Sequence, residues 1–457
     1  MSTSSPASTW IAPLFDELVS RHGVVGASLA VLDGDDIHTF ATGIANLRTG
    51  HAVTPETLFM VGSTTKSFTA TLVLQLVEEG RVDLDLPLSR YVAAPIDESI
   101  TPRQLLSHTS GLDNGPYTNH GRGDDAVSRY VDSLTGIPPI SPPGERFSYS
   151  NAGFVILGRL VEQVTGLDWD TALRTRLLHP GGLEMTFTLP EMAAAHAIAI
   201  GHERPAEGAA VPGTAWAMAA GRAMGPTGST LTATAADLVR FARLHMDGGG
   251  VVSKAVAGMM RVPHARLPAG SLMAQGWGLG LLFEEWQMDG QPVRIFGHTG
   301  HNEHIGSFLR FLPQSRAAAA LVFNSPGDAG LFHDLFSRLF SELYGVHKPP
   351  PWHTVEPGLE LDLSRYAGVY RRHGMKLTLR VEADGLLADV EGSWALQLYA
   401  GRRFRPASPS AFGSGLAARY TVASPEGTLA PELVFDGFDA GGRPCYVYTS
   451  VFAARRE

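Results

Sequence analysis

The chain has 457 residues, 44% of them hydrophobic and 18% charged, with a net charge of −9. That length exceeds one ordinary core and predicts two or more domains, and the composition excludes a disordered chain. The acidic balance without basic blocks argues against nucleic acid and anionic membrane as partners, and no apolar run reaches the ~18 residues of a membrane span. The opening "MSTSSPASTW" lacks the charged and apolar regions of a secretory signal, so a cytoplasmic location is expected.

Residues 10 to 22 predict an amphipathic helix, with Ile11, Leu14, Phe15 and Leu18 on one face. "GASLAVLDGDDIHTFATGIAN" (26–46) predicts two strands around a "DGDD" turn. From 63 to 79 the apolar positions Phe68, Leu72, Val73, Leu76 and Val77 lie nearly all round a helix, which predicts burial, and Gly80 ends it. Helical segments between Gly/Pro-rich loops fill 90–280, and three strands follow between 292 and 324. Strands at both ends of a helical middle predict an α/β domain over 8–346 whose first and last strands share one sheet. "HKPPPWHTVEP" (347–357) has the composition of a linker, and 358–457, with alternating stretches such as "KLTLRVE" and "YVYTSVF", predicts a small antiparallel β-barrel. The single cysteine, Cys445, excludes an intrachain disulfide and is expected to be a buried strand residue.

Three short patterns carry chemistry. In "VGSTTKSFTA", Ser63 and Lys66 stand at i and i+3, on one face at the start of the buried helix. A helix N-terminus favours negative charge on the serine oxygen, and with partial burial it disfavours the ammonium of Lys66, so the lysine becomes a base beside a nucleophile. The bland reading is an N-cap serine and a solvated lysine. In "FSYSNAGFVILGRLVEQVTG", Tyr149 and Asn151 precede a helix: a phenol can relay a proton, and an amide can hold a substrate carbonyl and the lysine. Tyr117-Thr118-Asn119 has the same spacing, but no helix follows it, and it is set aside. In "FGHTGHNEHIGSF", His298-Thr299-Gly300 ends one strand, Gly300 permits close approach, and the N–H of His301 with that of Ser63 would form an oxyanion hole. His108-Thr109-Ser110 repeats that pattern in part, in a loop. His298, His301, Glu303 and His304 could suggest a metal site, but their spacing matches no helical zinc motif and a strand sends them to alternate faces. No metal or cofactor is expected.

These patterns, in this order, resemble the serine β-lactamase and penicillin-binding-protein superfamily, in its branch of class C β-lactamases, D,D-carboxypeptidases and related esterases. "TPRQLLSHTSGL", "PPGERFSYSNAGF" and "GSTLTATAADLVRFARLHMDGGG" fit the same family, and the resemblance covers about 10–346. No Gly-x-Ser-x-Gly elbow supports the rival Ser-His-Asp chemistry. The resemblance implies an antiparallel sheet flanked by helices plus an all-α lobe. It also implies acylation of Ser63, proton transfer shared by Lys66 and Tyr149, orientation of substrate and lysine by Asn151, and His298 in place of a lysine. Thr299 and Gly300 would line the substrate site. The edge His301-Asn302-Glu303-His304, which would line the acyl pocket, departs from the family's small residues there.

With a C-terminal lipocalin-like barrel and no export signal, the chain looks most like the stand-alone penicillin-binding-protein-type thioesterases. These take a nonribosomal peptide from its carrier-protein thioester and release it as a head-to-tail macrolactam, with a D-configured residue at the acylated end. The expected partner is then a peptidyl carrier protein or a small thioester or ester. A cytoplasmic esterase, amidase or D-aminopeptidase is the alternative, and a non-catalytic ligand-binding protein a third. In the barrel, Arg443 with Tyr446 and Tyr448 at same-face spacing is a candidate anchor for a substrate carboxylate or carbonyl, against the plain reading of a turn arginine.

Overall fold

A computed structural model describes the chain except residues 1–5, 204–208, 214–220, 249, 270, 272, 303, 326–327, 352, 356–358, 393–398, 415–427 and 430–431. The N-terminal helix runs Pro6–Arg21 and buries Ile11, Phe15, Leu18 and Val19, while Leu14 is half-buried. It packs with helix Asp328–Tyr344 on one face of the central sheet, around Leu335, Phe336, Leu339 and Phe340.

That sheet is antiparallel throughout. Its order is His51–Ala52, Asp36–Asn46, Gly26–Asp33, Ala317–Phe323, Ile305–Leu312, Gln291–Asn302, Leu282–Met288, Gly276–Trp277 and Ala265–Arg266. The expected hairpin forms with Asp33 opposite Asp36, and the first and last long strands are neighbours, with Ala27 opposite Phe323. Ala317–Phe323 is buried at every position because elements cover both faces of the sheet there, so "AAAALVF" does not alternate.

On the other face lies the helical part, with helix Thr65–Glu78 at its centre and buried from Thr65 to Leu76. Phe68 stacks on Phe241 at 3.8 Å. Helix Asn151–Thr165 packs beside it. Ser150 caps that helix by accepting from the Gly153 N–H, and Gly166 ends it in the left-handed conformation.

Eight strands between Gly368 and Arg456 close into an antiparallel barrel, with Gly368–Arg372 meeting Phe452–Arg456 across the seam. Tyr370, Leu377, Leu386, Phe404, Phe412, Phe435 and Val447 fill it. The strand period of two then turns Tyr446 and Tyr448 outward. There, with Val434, Val451 and Ala453, they form a shared apolar cluster with Ile140, Phe147, Tyr149, Trp277 and Leu282 of the α/β part. Each large side chain buried this way contributes roughly 1.5–3 kcal/mol, so the barrel is packed onto the segment that carries Tyr149.

The Pro-rich stretch begins as structure: Val346–His347 pairs with Leu282–Met288, and Lys348 sits 3.6 Å from buried Glu284. Positions 352 and 356–358 of that stretch lie outside the described residues. Cys445 is on a strand as expected, but it is half-buried rather than buried, packed against the shared cluster. Among the described residues no helix is long and apolar enough to cross a membrane.

Candidate active site

Ser63 sits in the short 3-10 turn Gly62–Thr64 that leads into helix Thr65–Glu78. Ser307 pins this turn: its hydroxyl donates to the Val61 carbonyl at 2.8 Å and lies 2.7 Å from the Thr64 hydroxyl. Lys66, one helical turn on, is fully buried. Its Nζ lies 3.0 Å from Ser63 Oγ and donates to the Thr227 carbonyl at 2.8 Å. Burial holds the ammonium well below its ordinary range. Among the described residues the lysine pairs with no carboxylate, so the neutral amine is the favoured form.

Tyr149 is 5% exposed, and its phenol lies close enough to the Ser63 side chain to be influenced by it. Its ring lies 4.8 Å from Lys66 Nζ. Burial pushes the phenol well above its ordinary range, against the opposing effect of the Ser63 contact. Beside Ser63, burial thus favours the neutral amine of Lys66 and the protonated phenol of Tyr149. Tyr149 is held from both sides: His108 stacks on it at 4.2 Å, and its own N–H donates to Val451 of the barrel at 3.2 Å.

Asn151 reaches the lysine indirectly. Its Oδ1 accepts from the Thr227 hydroxyl at 2.7 Å, and Thr227 gives its carbonyl to Lys66. Its amide Nδ2 donates to the Tyr117 hydroxyl at 2.8 Å, and Asn114 donates to the same oxygen at 3.2 Å. The second copy of the Tyr-x-Asn spacing thus does not sit at the serine, yet its tyrosine belongs to the site's rim.

Gly300 closes the site against the serine turn. A Cβ there would lie 1.9 Å from the Val61 carbonyl oxygen and 2.9 Å from Ser63 N, so only glycine fits. His301 is equally close to the turn: a Cβ on Gly62 would be 2.8 Å from His301 N. His298 is buried, and its Nδ1 meets the Thr299 carbonyl at 2.8 Å, which leaves Nε2 as a bare acceptor. Burial first, then the nearby Lys66, pulls its imidazole down to about 3. Thr299 does not point into open space: its hydroxyl accepts from Arg310 at 3.0 Å. The imidazoles of the "HTGHNEH" stretch diverge, with His301 against Phe308 and Phe323 and His304 paired to Glu203, and Glu303 lies outside the described residues.

Arg443 is exposed in the turn before Pro444–Thr449, and its N–H donates to Asp439 at 2.9 Å. The plain reading of a turn arginine fits it: the outward face of that strand carries Tyr446 and Tyr448 onto the catalytic part, and Arg443 precedes the strand.

Sequence reasoning missed several members of the site. His108 reads in the sequence as a partial repeat in a loop, but its φ of 57° turns the ring under Tyr149, and its Nδ1 accepts from the Ser150 N–H at 3.1 Å. Trp277 stands edge-on to both His108 and His298. Arg310, 1% exposed, bonds Glu284 at 2.6 Å and the His298 carbonyl at 3.0 Å, so it carries the His298-Thr299 strand from behind. A lone arginine within "FLRFL" and an acid in "FEEW" were the available signals.

The Beta-lactamase family profile matches residues 11–341. The chain belongs to the β-lactamase family. Penicillin-binding protein 4 of Amycolatopsis lactamdurans is 40% identical over 79% of this chain and 96% of its own. Crystal structures of SurE and of SurE with D-Leu are both 29% identical, cover 98% of each chain and superpose with TM-scores of 0.76 and 0.70. The D-amino acid amidase of Ochrobactrum anthropi SV3, complexed with L-phenylalanine, is 26% identical over 74% of this chain and 99% of its own, with a TM-score of 0.62. The chain is therefore a serine hydrolase or acyltransferase of the β-lactamase and penicillin-binding-protein superfamily.

Proposed function

We propose that the protein releases a peptide from a carrier-protein thioester through an acyl-Ser63 intermediate and closes it into a macrolactam. In the first half-reaction neutral Lys66 takes the Ser63 proton as Oγ adds to the thioester carbonyl. Protonated Tyr149 gives its proton to the departing thiolate, and the lysine proton then restores the phenol. In the second, the peptide's own amine adds to the acyl carbon, the C–Oγ bond breaks, and the amine proton returns to Ser63. Asn151 holds the acyl chain once the substrate displaces the Tyr117 hydroxyl. The N–H groups of Ser63 and His301 receive the carbonyl oxygen, and His298 with Thr299 and Gly300 forms the opposite wall. No metal or cofactor enters the scheme.

The observation that carries this reading is the barrel's place. It packs on the segment bearing Tyr149 and so walls the site on the side where the proton leaves and the second nucleophile arrives. Cyclisation needs such a wall, because a tethered amine must reach the ester before water does. The likeness to SurE over 98% of both chains supports the same reading, and the D-Leu of one of those structures supports a D-configured acyl end. A second reading, hydrolysis of a D-amino acid amide or ester, is favoured by the likeness to the D-amino acid amidase, although that leaves about a quarter of this chain unmatched.

The test uses a linear peptidyl N-acetylcysteamine thioester ending in a D-residue. Acyl mass on the peptide containing Ser63, its loss in Ser63→Ala, and a cyclic product are expected. Label on any other residue ends the mechanism, whereas acyl-Ser63 that yields only linear acid selects the hydrolase.

A further inference from the structure

The tip of the first barrel hairpin is docked at the rim of the site. Strand Gly368–Arg372 turns through His373 and Gly374 into Met375–Glu382, and the His373 N–H donates to Asp113 Oδ2 at 2.8 Å. Asp113 is followed by Asn114, whose side chain meets both Asn151 and Tyr117. Arg372 therefore stands beside the loop that holds the Asn151 amide.

Its guanidinium lies 4.8 Å from the Phe452 ring centre, and Phe452 is edge-on to Tyr149 at 5.4 Å. Its Nε is closed to solvent and has no hydrogen-bond partner. Arg310 pairs with Glu284, Arg146 with Asp436 and Arg222 with Asp170. Arg372 has no carboxylate within ion-pair distance among the described residues. The carboxylate whose charge it feels is that of Asp113, whose oxygens accept from the Gly115 and His373 N–H groups. Burial draws the guanidinium below its ordinary range, the direction of a cation short of partners. An enclosed donor left unpaired is costly, and the planar fork of arginine matches a carboxylate.

We propose that Arg372 is a specificity residue for the acyl acceptor: it binds a carboxylate carried by the amine that enters opposite Ser63. The side is set by contact. Tyr149 handles the proton of that group, and Phe452 and Arg372 continue outward from the Tyr149 ring. The inference rests on the acyl-enzyme reading and adds a preference to it. The reaction is plain aminolysis: the acceptor nitrogen bonds to the acyl carbon, the carbon–Oγ bond breaks, the proton returns to Ser63, and nothing is oxidised or reduced.

The full chain is acylated with a neutral N-acyl-D-alanyl N-acetylcysteamine thioester, and the acyl-enzyme is offered D-alanine or D-alaninamide. The readout is the ratio of the rates of transfer to acid and to amide in wild type, Arg372→Gln and Arg372→Lys. Because each ratio is taken from one common acyl-enzyme, it does not depend on how fast that enzyme forms. Loss of one charge-assisted contact predicts a fall of roughly tenfold or more in Arg372→Gln, with partial retention in Arg372→Lys. Equal ratios in all three proteins overturn the assignment and leave the acyl-enzyme reading standing. If wild type forms no acyl-Ser63, that reading fails and this one with it. Should Arg372→Gln not fold, raised chloride must lower the wild-type ratio, and a ratio indifferent to salt overturns the assignment equally.

Discussion

Tyr149-Ser150-Asn151 and Tyr117-Thr118-Asn119 share one spacing, yet Tyr149 is 5% exposed and Tyr117 is 71% exposed. The difference comes from the chain just after each copy. Ser150 caps a helix that starts at once with Asn151, and its hydroxyl also donates to the Asp113 carbonyl at 2.7 Å, so Tyr149 and Asn151 are set against the serine turn. After Tyr117 the chain passes Gly121 in a left-handed conformation and reaches no helix until Ala126. A spacing does not select a site; the rigid element behind it does. The exposed copy nevertheless keeps a place, because its hydroxyl occupies the amide of the buried copy's own asparagine.

The largest effects should fall on the buried copy. Lys66→Ala and Tyr149→Phe are each expected to slow acyl-Ser63 formation at least ~10²-fold, the scale of a positioned base or acid, measured by rapid quench and mass. A Tyr149→Phe enzyme near wild type would erase the distinction between the two tyrosines.

Next comes the support of the buried wall. Arg310→Met strips buried Glu284 of its closest cation, leaving it only Lys348, and frees Thr299. Breaking a buried ion pair costs about 3–5 kcal/mol, so a clear fall in thermal midpoint and roughly a tenfold loss of turnover are expected. Unchanged melting would show that the strand bearing His298 stands without it.

Acid should sharpen the contrast between buried and exposed groups. The His298 imidazole is held at about 3, against 6.5 unfolded, so below 6.5 the unfolded chain binds a proton that the folded one refuses. Its contribution is whole above that point and is lost as pH falls from 6.5 toward 3. His298→Asn should flatten the slope of stability against pH in that window, read from denaturant midpoints. An identical slope would place the imidazole in contact with water.

The smallest effect belongs to Tyr117→Phe. Removing the hydroxyl that competes for Asn151 should change KM by no more than a few-fold and leave the rate of acylation alone. A loss comparable to that of Tyr149→Phe would move the proton carrier to the rim.

The sequence made much of this legible. Ser63, Lys66, Tyr149, Asn151 and Gly300 were readable because each stands at a fixed offset from an element with a clear period: a buried helix, a capped helix, a strand pair. The sharing of one sheet by the first and last strands followed from where the apolar runs lie. His108, Arg310 and Arg372 were not readable, because what matters about them is made by contacts across the fold: His108 meets Tyr149 through a left-handed backbone turn, Arg310 meets Thr299 across a strand pair, and Arg372 meets the rim only once the barrel closes. Arg443 was the arginine of the barrel that strand alternation recommended, and alternation says which face a residue takes, not what that face meets.

The Tyr149 N–H donates to the Val451 carbonyl, and the apolar cluster around it draws side chains from both parts of the chain. The barrel is thus a poor candidate for exchange as a cassette. A chimera joined within 347–357 would inherit a foreign surface under Tyr149, whatever the quality of its own barrel. The unit that can be transplanted intact is the barrel together with the 140–149 segment and Trp277, and the recombination point that preserves the setting of Tyr149 lies inside the α/β part rather than between the two.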